Sequence, residues 1–134
     1  MDVDPTVIAT ILGSKDKNFY EKNRFVTSFS DSKGNFARVR GAMGGDLIQS
    51  GCEQIRTVLE ECDLPGGSIV VRGVAGGTGG GIAPEICAFL KSYLRYVHIN
   101  EVVPSADLPA ACVESYNYIL ATNLCMPQCD LIMK

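Results

Sequence analysis

Seven consecutive small residues, Ala75-Gly76-Gly77-Thr78-Gly79-Gly80-Gly81, separate the apolar run Ile69-Val70-Val71 from an amphipathic segment, Ile82 to Leu94. A strand, a glycine turn and a helix in that order point to an α/β layout, with the turn at the strand's C-terminal end, where open parallel sheets place ligands. Glycines there suit a backbone that takes positive φ angles and brings its N–H groups close to a ligand without an intervening Cβ. The first free N–H groups of the following helix carry roughly half a positive charge and Thr78 adds a hydroxyl, so a phosphate fits the pattern. The competing reading is a plain flexible connection, because no Gly-Lys-Ser/Thr follows the run and its spacing is not Gly-x-Gly-x-x-Gly.

The chain has 134 residues, 46% hydrophobic and 20% charged, which suits one domain over residues 1–134 with a single core. A net charge of -3 and a pI near 5.1, with no Lys/Arg run, argue against a general nucleic-acid or anionic-membrane binder. The start, Met1-Asp2-Val3-Asp4-Pro5, is acidic where a secretory signal is basic, and no apolar stretch approaches the roughly 18 residues of a membrane span. The expectation is a soluble, cytoplasmic protein. Six cysteines (Cys52, Cys62, Cys87, Cys112, Cys125 and Cys129) include no Cys-x-x-Cys pair, and His98 is the single histidine. They read as reduced core residues rather than metal ligands.

Asp4-Pro5 opens a first helix as N-cap and first-turn proline, and Gly13 closes it. Ser14 to Arg24 is polar surface, Phe25 to Phe29 suits an edge strand, and Ser30 to Asn35 is turn-forming. Asp46 to Cys62 carries Leu47, Ile48, Gly51, Cys52, Ile55, Val58, Leu59 and Cys62 on one helical stripe. Ser68 to Val74 lacks clean alternation, as in a strand covered on both faces. A helix from Ile82 to Arg95, a strand from Val97 to Val103, a helix from Ala111 to Leu124 and a last strand, Leu131-Ile132-Met133, complete the order of a parallel sheet with flanking helices.

The order of motifs resembles the nucleotide-binding domain of the tubulin superfamily over nearly the whole chain. Asp2-Val3-Asp4-Pro5-Thr6-Val7-Ile8 is similar to the family's Asp-Leu-Glu-Pro-Thr-Val-Ile, with aspartate for glutamate at the second acidic position. Asn35-Phe36-Ala37-Arg38 resembles Asn-Tyr-Ala-Arg of the phosphate-side loop, and Gly76-Gly77-Thr78-Gly79-Gly80-Gly81 resembles Gly-Gly-Thr-Gly-Ser-Gly, with Gly80 for serine. Val113-Glu114-Ser115-Tyr116-Asn117-Tyr118-Ile119-Leu120 is similar to Val-Glu-Pro-Tyr-Asn-Ser-Ile-Leu. Ala75 matches the rarer tubulin classes and Pro5-Thr6-Val7-Ile8 the α class, which leaves the class open.

The resemblance implies a partial Rossmann-like parallel sheet and either GTP or GDP with magnesium or an empty site. It places Asp2 and Asp4 near the terminal phosphate, with Asp4 towards the metal. Asn35, Ala37, Gly76, Gly77, Thr78, Gly79, Gly80 and Gly81 fall on the phosphates, and Glu114 on the ribose. Each also has a plain structural reading: Asp2 and Asp4 as a solvated start and an N-cap, Asn35 as a turn former, and Glu114 as a first-turn carboxylate. Tyr116 and Asn117 read as packing and helix-start residues without a ligand. The family's first strand and glycine loop, its base-binding residues and its catalytic acid have no counterpart among these residues. The chain is therefore expected to be a structural, tubulin-like cytoskeletal component that docks on a microtubule or axonemal assembly, with at most a residual half GTP site and no enzymatic activity of its own. Its expected partners are tubulin, microtubule-associated or axonemal proteins within a larger assembly that covers its cut sheet edge. The alternative is a GTP-binding module completed by another chain.

Overall fold

The computed structural model describes residues 1–20, 24–28, 32–104 and 112–134. Helix α1 (Pro5–Gly13) starts as its sequence demands: the Asp4 side chain accepts from the Thr6 amide and Pro5 occupies the first turn. It stops at Gly13, where the backbone and hydroxyl of Ser14 both donate to the Ile11 carbonyl. The expected edge strand reduces to one parallel bridge, Asp2 with Thr27, fixed by the Asp2 amide donating to Val26. Its last residue, Phe29, lies outside the described residues, as do Ser30 and Asp31 of the expected turn.

The long helix departs from expectation at its start. It begins not at Asp46 but at α2 (Phe36–Arg38), passes through a π-helical turn over Val39–Met43, and continues as α3 (Gly44–Glu60). Gly41, Gly44 and Gly45 are poor helix formers, which hides this stretch from propensity. Packing overrides propensity, because Phe36 and Val39 are buried and Gly44 lets the wide π turn close. A Cβ on Gly44 would stand 2.6 Å from the Val39 carbonyl oxygen.

Strands β1 (Gly67–Gly73), β2 (Tyr96–Val102) and β3 (Leu131–Met133) form a parallel sheet in the order β1-β2-β3. Helices α4 (Gly77–Gly81) and α5 (Ala83–Tyr93) join β1 to β2, and α6 (Cys112–Cys125) precedes β3. Ala111, the expected first residue of that last helix, is not described. Val97 and Ile99 of β2 are fully buried with Ile82, Cys87 and Cys125 on one side of the sheet. Asp130 pins the end of the fold to this layer by accepting from Lys91 and from the Val97 amide.

The other side corrects the expectation of a strand covered on both faces. Ile69 and Val71 of β1 are 70% and 68% exposed, and the burial along β1 alternates. Among the described residues no element packs over that face. The cysteines divide similarly: Cys87 and Cys125 are buried, Cys52 and Cys129 half-buried, and Cys62 and Cys112 exposed, all as free thiols.

Beneath the sheet lies an ion pair that sequence reading did not single out. Arg72 of β1 and Glu101 of β2, adjacent in register, meet with side chains 2% and 0% exposed. Arg72 also donates to the carbonyls of Gly79 at 3.3 Å and Ala121 at 3.5 Å, so one side chain joins β1, β2, α4 and α6. Removing one partner strands a buried charge, whereas replacing both with apolar residues removes the desolvation cost as well. Arg72→Leu is therefore expected to lower unfolding free energy by about 3–5 kcal/mol in urea titrations, and the double variant Arg72→Met, Glu101→Leu to recover most of that loss. A double variant as unstable as the single one would show that the pair has structural value beyond charge compensation.

Candidate functional site

The glycine run lies beyond the C-terminal end of β1 but does not form the positive-φ turn expected of it. Among the described residues the left-handed region is occupied by Lys33 at φ 50° and Gly34 at φ 66°. Gly76 is instead the extended N-cap residue of α4, and Gly77 to Gly81 are helical. The helical hydrogen bonding then carries on into α5, since Ile82 donates to Thr78 and accepts from Ile86.

Close packing explains the glycines. A Cβ on Gly79 would lie 2.2 Å from the Gly73 carbonyl oxygen, so α4 folds directly back against the end of β1. On Gly77 it would meet Ser32 Oγ at 2.9 Å and the Asn35 carbonyl at 3.0 Å, and on Gly81 the Val39 side chain at 3.1 Å. Gly76 has nothing within 4 Å of that position and faces open space.

Two other expected segments are brought to this run. The Thr78 hydroxyl donates to Asp2 Oδ1 at 3.0 Å, while the Val3 amide lies 3.5 Å from the same hydroxyl. Asp2 Oδ1 also accepts from the Asp4 amide at 3.1 Å, which folds the acidic loop over itself. Asp4 Oδ1 accepts from the Thr6 hydroxyl at 2.7 Å and the Thr6 amide at 2.8 Å. The Thr6 hydroxyl, followed by its amide, holds the Asp4 carboxyl below its ordinary range, so it is anionic at neutral pH. Asn35 caps α2 by accepting from the Arg38 amide at 3.1 Å, and Ala37 is exposed within that short helix.

Asn117 joins these parts. Its side-chain carbonyl accepts from the Phe36 amide at 3.2 Å, and its amide group donates to the Gly34 and Ala75 carbonyls at 2.6 and 2.7 Å. It is 3% exposed and ties α6 to both loops, which agrees with a packing role and adds a bracing one. Glu114 is half-buried one turn earlier on the same face of α6. Among the described residues no hydrogen bond or ion pair joins it to the acidic loop or the glycine run.

Asp2 and Asp4 supply the carboxylate oxygens at this corner. Magnesium retains several waters and commonly takes one or two carboxylates together with substrate phosphates, so this donor set fits the ion without a closed protein cage. Consistently, no group of three or more His, Cys, Asp or Glu side chains among the described residues is arranged to hold a metal by itself.

The model of the Tubulin/FtsZ family GTPase domain matches residues 1–134. This chain belongs to the Tubulin/FtsZ family. It is 30% identical to the tubulin alpha chain of Dictyostelium discoideum over 138 residues, covering 98% of this chain and 29% of that one. It is 29% identical to the tubulin alpha chain of Encephalitozoon cuniculi (97% and 30% covered) and 31% identical to tubulin alpha chain-like 3 of Mus musculus (92% and 28% covered). The chain thus spans under a third of the length of these curated relatives. The match corrects one expectation: the family model that spans the whole chain is a GTPase domain, which overturns the expectation that the chain is not an enzyme.

Two outcomes test the packing of the site. Gly79→Ala forces a Cβ onto backbone and is expected to cost at least about 1–3 kcal/mol in urea unfolding. Gly80→Ser restores the family serine against the Phe36 ring at 3.3 Å and the Ala121 methyl at 3.4 Å, and is expected to cost under about 1 kcal/mol. The reverse ranking would rule out this account of the glycines. Asn117→Ala leaves an amide and two carbonyls without that partner, an expected loss of about 2–4 kcal/mol. Asn117→Asp, which turns a carboxylate towards the same two carbonyls, should not rescue it in the same titration.

Proposed function

We propose that residues 1–134 form the phosphate-side part of a tubulin-type GTP site, whose base-binding residues and catalytic acid lie outside these residues. In this reading the amides of Gly76, Gly77, Thr78 and Gly79, with the Thr78 hydroxyl, face the phosphates of GTP or GDP, while Gly80, whose amide donates to the Gly76 carbonyl, and Gly81 border the phosphates only by allowing the close packing behind them. Asn35 and Ala37 border them from the start of α2, and Glu114 accepts a hydrogen bond from the ribose. Asp2 and Asp4 hold the water shell of a magnesium ion, with Asp4 the nearer. Magnesium, when bound, offsets phosphate charge during hydrolysis.

The observation that carries this reading is the hydrogen bond from Thr78 to Asp2, residues 76 apart in sequence, at the C-terminal end of a parallel sheet. It unites the acidic loop with the glycine run where a phosphate and its metal would have to meet. The same reading makes the protein a cytoplasmic, cytoskeletal component that joins tubulin or microtubule-associated proteins, as in a microtubule or axonemal assembly. The family membership and the uncovered β1 face favour such a partner.

Nucleotide analysis of the protein purified from its native assembly, with identification of what co-purifies, is the direct check. Stoichiometric GTP or GDP is expected, with tubulins among the co-purifying chains. Thr78→Val should weaken retention about tenfold, the effect of losing one hydrogen bond to a charged group. Assemblies containing tubulin but no nucleotide would overturn the nucleotide reading, and the absence of tubulin would overturn the cytoskeletal one.

A further inference from the structure

Two of the six cysteines meet out of reach of solvent. Cys87 of α5 and Cys125, the last residue of α6, are both 0% exposed, and their sulfurs lie 3.9 Å apart. They are 38 residues apart in the chain, with β2 and most of α6 between them. Cys129 stands half-buried next to the pair, its thiol donating to the Cys125 carbonyl at 3.1 Å. None of these thiols has a part in the proposed nucleotide site.

A buried pair of thiols can hold a metal, fill space, or close into a disulfide. A closed metal site needs more ligands, and among the described residues no group of three or more His, Cys, Asp or Glu side chains is arranged for one. Filling space asks only for small apolar side chains and does not require two sulfurs to face each other. A disulfide requires the sulfurs to close from 3.9 Å to about 2.05 Å, an approach within reach of side-chain rotation.

The two thiols are also unequal. The hydrogen bond from Cys87 holds the Cys125 thiol below its ordinary range against the opposing effect of burial, and the Arg72 guanidinium adds to it. The same hydrogen bond, followed by burial, pushes Cys87 up, so Cys125 gives up its proton first and Cys87 keeps its own. The thiolate is the nucleophilic form of cysteine.

We propose that Cys87 and Cys125 form an oxidation site, a thiol pair that hydroperoxides convert to an internal disulfide locking α5 to α6. The Cys125 thiolate attacks one peroxide oxygen, the O–O bond breaks, and the departing hydroxide takes up a proton to become water, leaving Cys125 as a sulfenic acid. The Cys87 sulfur then attacks the Cys125 sulfur. Its proton goes to the departing hydroxyl, the S–O bond gives way to an S–S bond, and a second water is released. The two sulfurs together lose two electrons and the peroxide gains them. Hydrogen peroxide is little larger than water and enters by local opening of the short turn Met126–Gln128 that follows Cys125. The lock bears on the whole layer, because α6 also carries Asn117, which braces the glycine run, and the Ala121 carbonyl that meets Arg72.

The test uses the full chain carrying Cys62→Ser and Cys112→Ser, which removes the exposed thiols able to join two molecules. The reduced, folded protein is treated with hydrogen peroxide, its remaining thiols are alkylated in denaturant, and the digest is mapped by mass spectrometry. One linked peptide pair is expected, joining Cys87 to Cys125, with Cys52 and Cys129 alkylated and the intact mass lower by two hydrogens. The thermal midpoint is expected to rise by about 10 °C on oxidation and to return on reduction with dithiothreitol. Cys87→Ala removes the resolving thiol, so dimedone should label the sulfenic acid at Cys125. A bond between Cys125 and Cys129, or Cys87 and Cys125 both alkylated after the peroxide is consumed, would overturn the inference, and the mapping decides this without any variant of the buried pair.

Discussion

The guanidinium of Arg72 is the constraint on which the rest of this structure depends. A cation taken out of water needs acceptors on several sides, and here they come from different parts of the chain: Glu101 on β2, the Gly79 carbonyl on α4 and the Ala121 carbonyl on α6. Satisfying one side chain therefore fixes the spacing of the sheet, the glycine run and the last helix together. The pair is not fully satisfied, since Arg72 Nε and Glu101 Oε2 lack hydrogen-bond partners among the described residues, although Lys134 comes within 3.8 Å of that carboxylate oxygen. Such a pair specifies an arrangement more than it stabilises it.

Around that anchor, closeness is achieved by omitting side chains. Gly79 lets α4 fold back onto Gly73, and Gly77 and Gly81 admit Ser32, Asn35 and Val39. The run that looks from sequence like a loop built for unusual φ angles is a short helix built for contact. Its one open glycine, Gly76, stands at the N-cap, where amide groups remain available to a ligand.

Much of the fold was legible because its signals are local. Asp4-Pro5 and Gly13 bound α1 as their capping chemistry requires, and the order of strands and helices around β1, β2 and β3 follows from apolar runs and breaks. The start of the long helix was not legible, because Gly41, Gly44 and Gly45 oppose helix locally and only the burial of Phe36 and Val39 reverses the balance. The open face of β1 was also misread, since an apolar strand reads the same whether or not a covering layer is present. In the site, the acidic loop and the glycine run were readable as motifs, and the Asp2–Thr78 bond joins them in space. The roles of Arg72 and Asn117 were not. A lone arginine in a strand and a lone asparagine in a helix carry no spacing pattern, and their partners lie 7 to 83 residues away. A polar residue inside an otherwise apolar strand was the one available signal for Arg72.

The corner that joins the acidic loop to the glycine run is held by the same anchor as the fold. The Asp2–Thr78 hydrogen bond lies beyond the C-terminal end of β1, and Asp2, Arg72 and Thr78 line one cavity behind it. Arg72 donates to the Gly79 carbonyl, so the side chain that spaces β1 against β2 also fixes the turn of α4 that carries Thr78. Loss of that contact would shift the hydroxyl that meets Asp2, which couples the buried ion pair to the corner where open parallel sheets place their ligands.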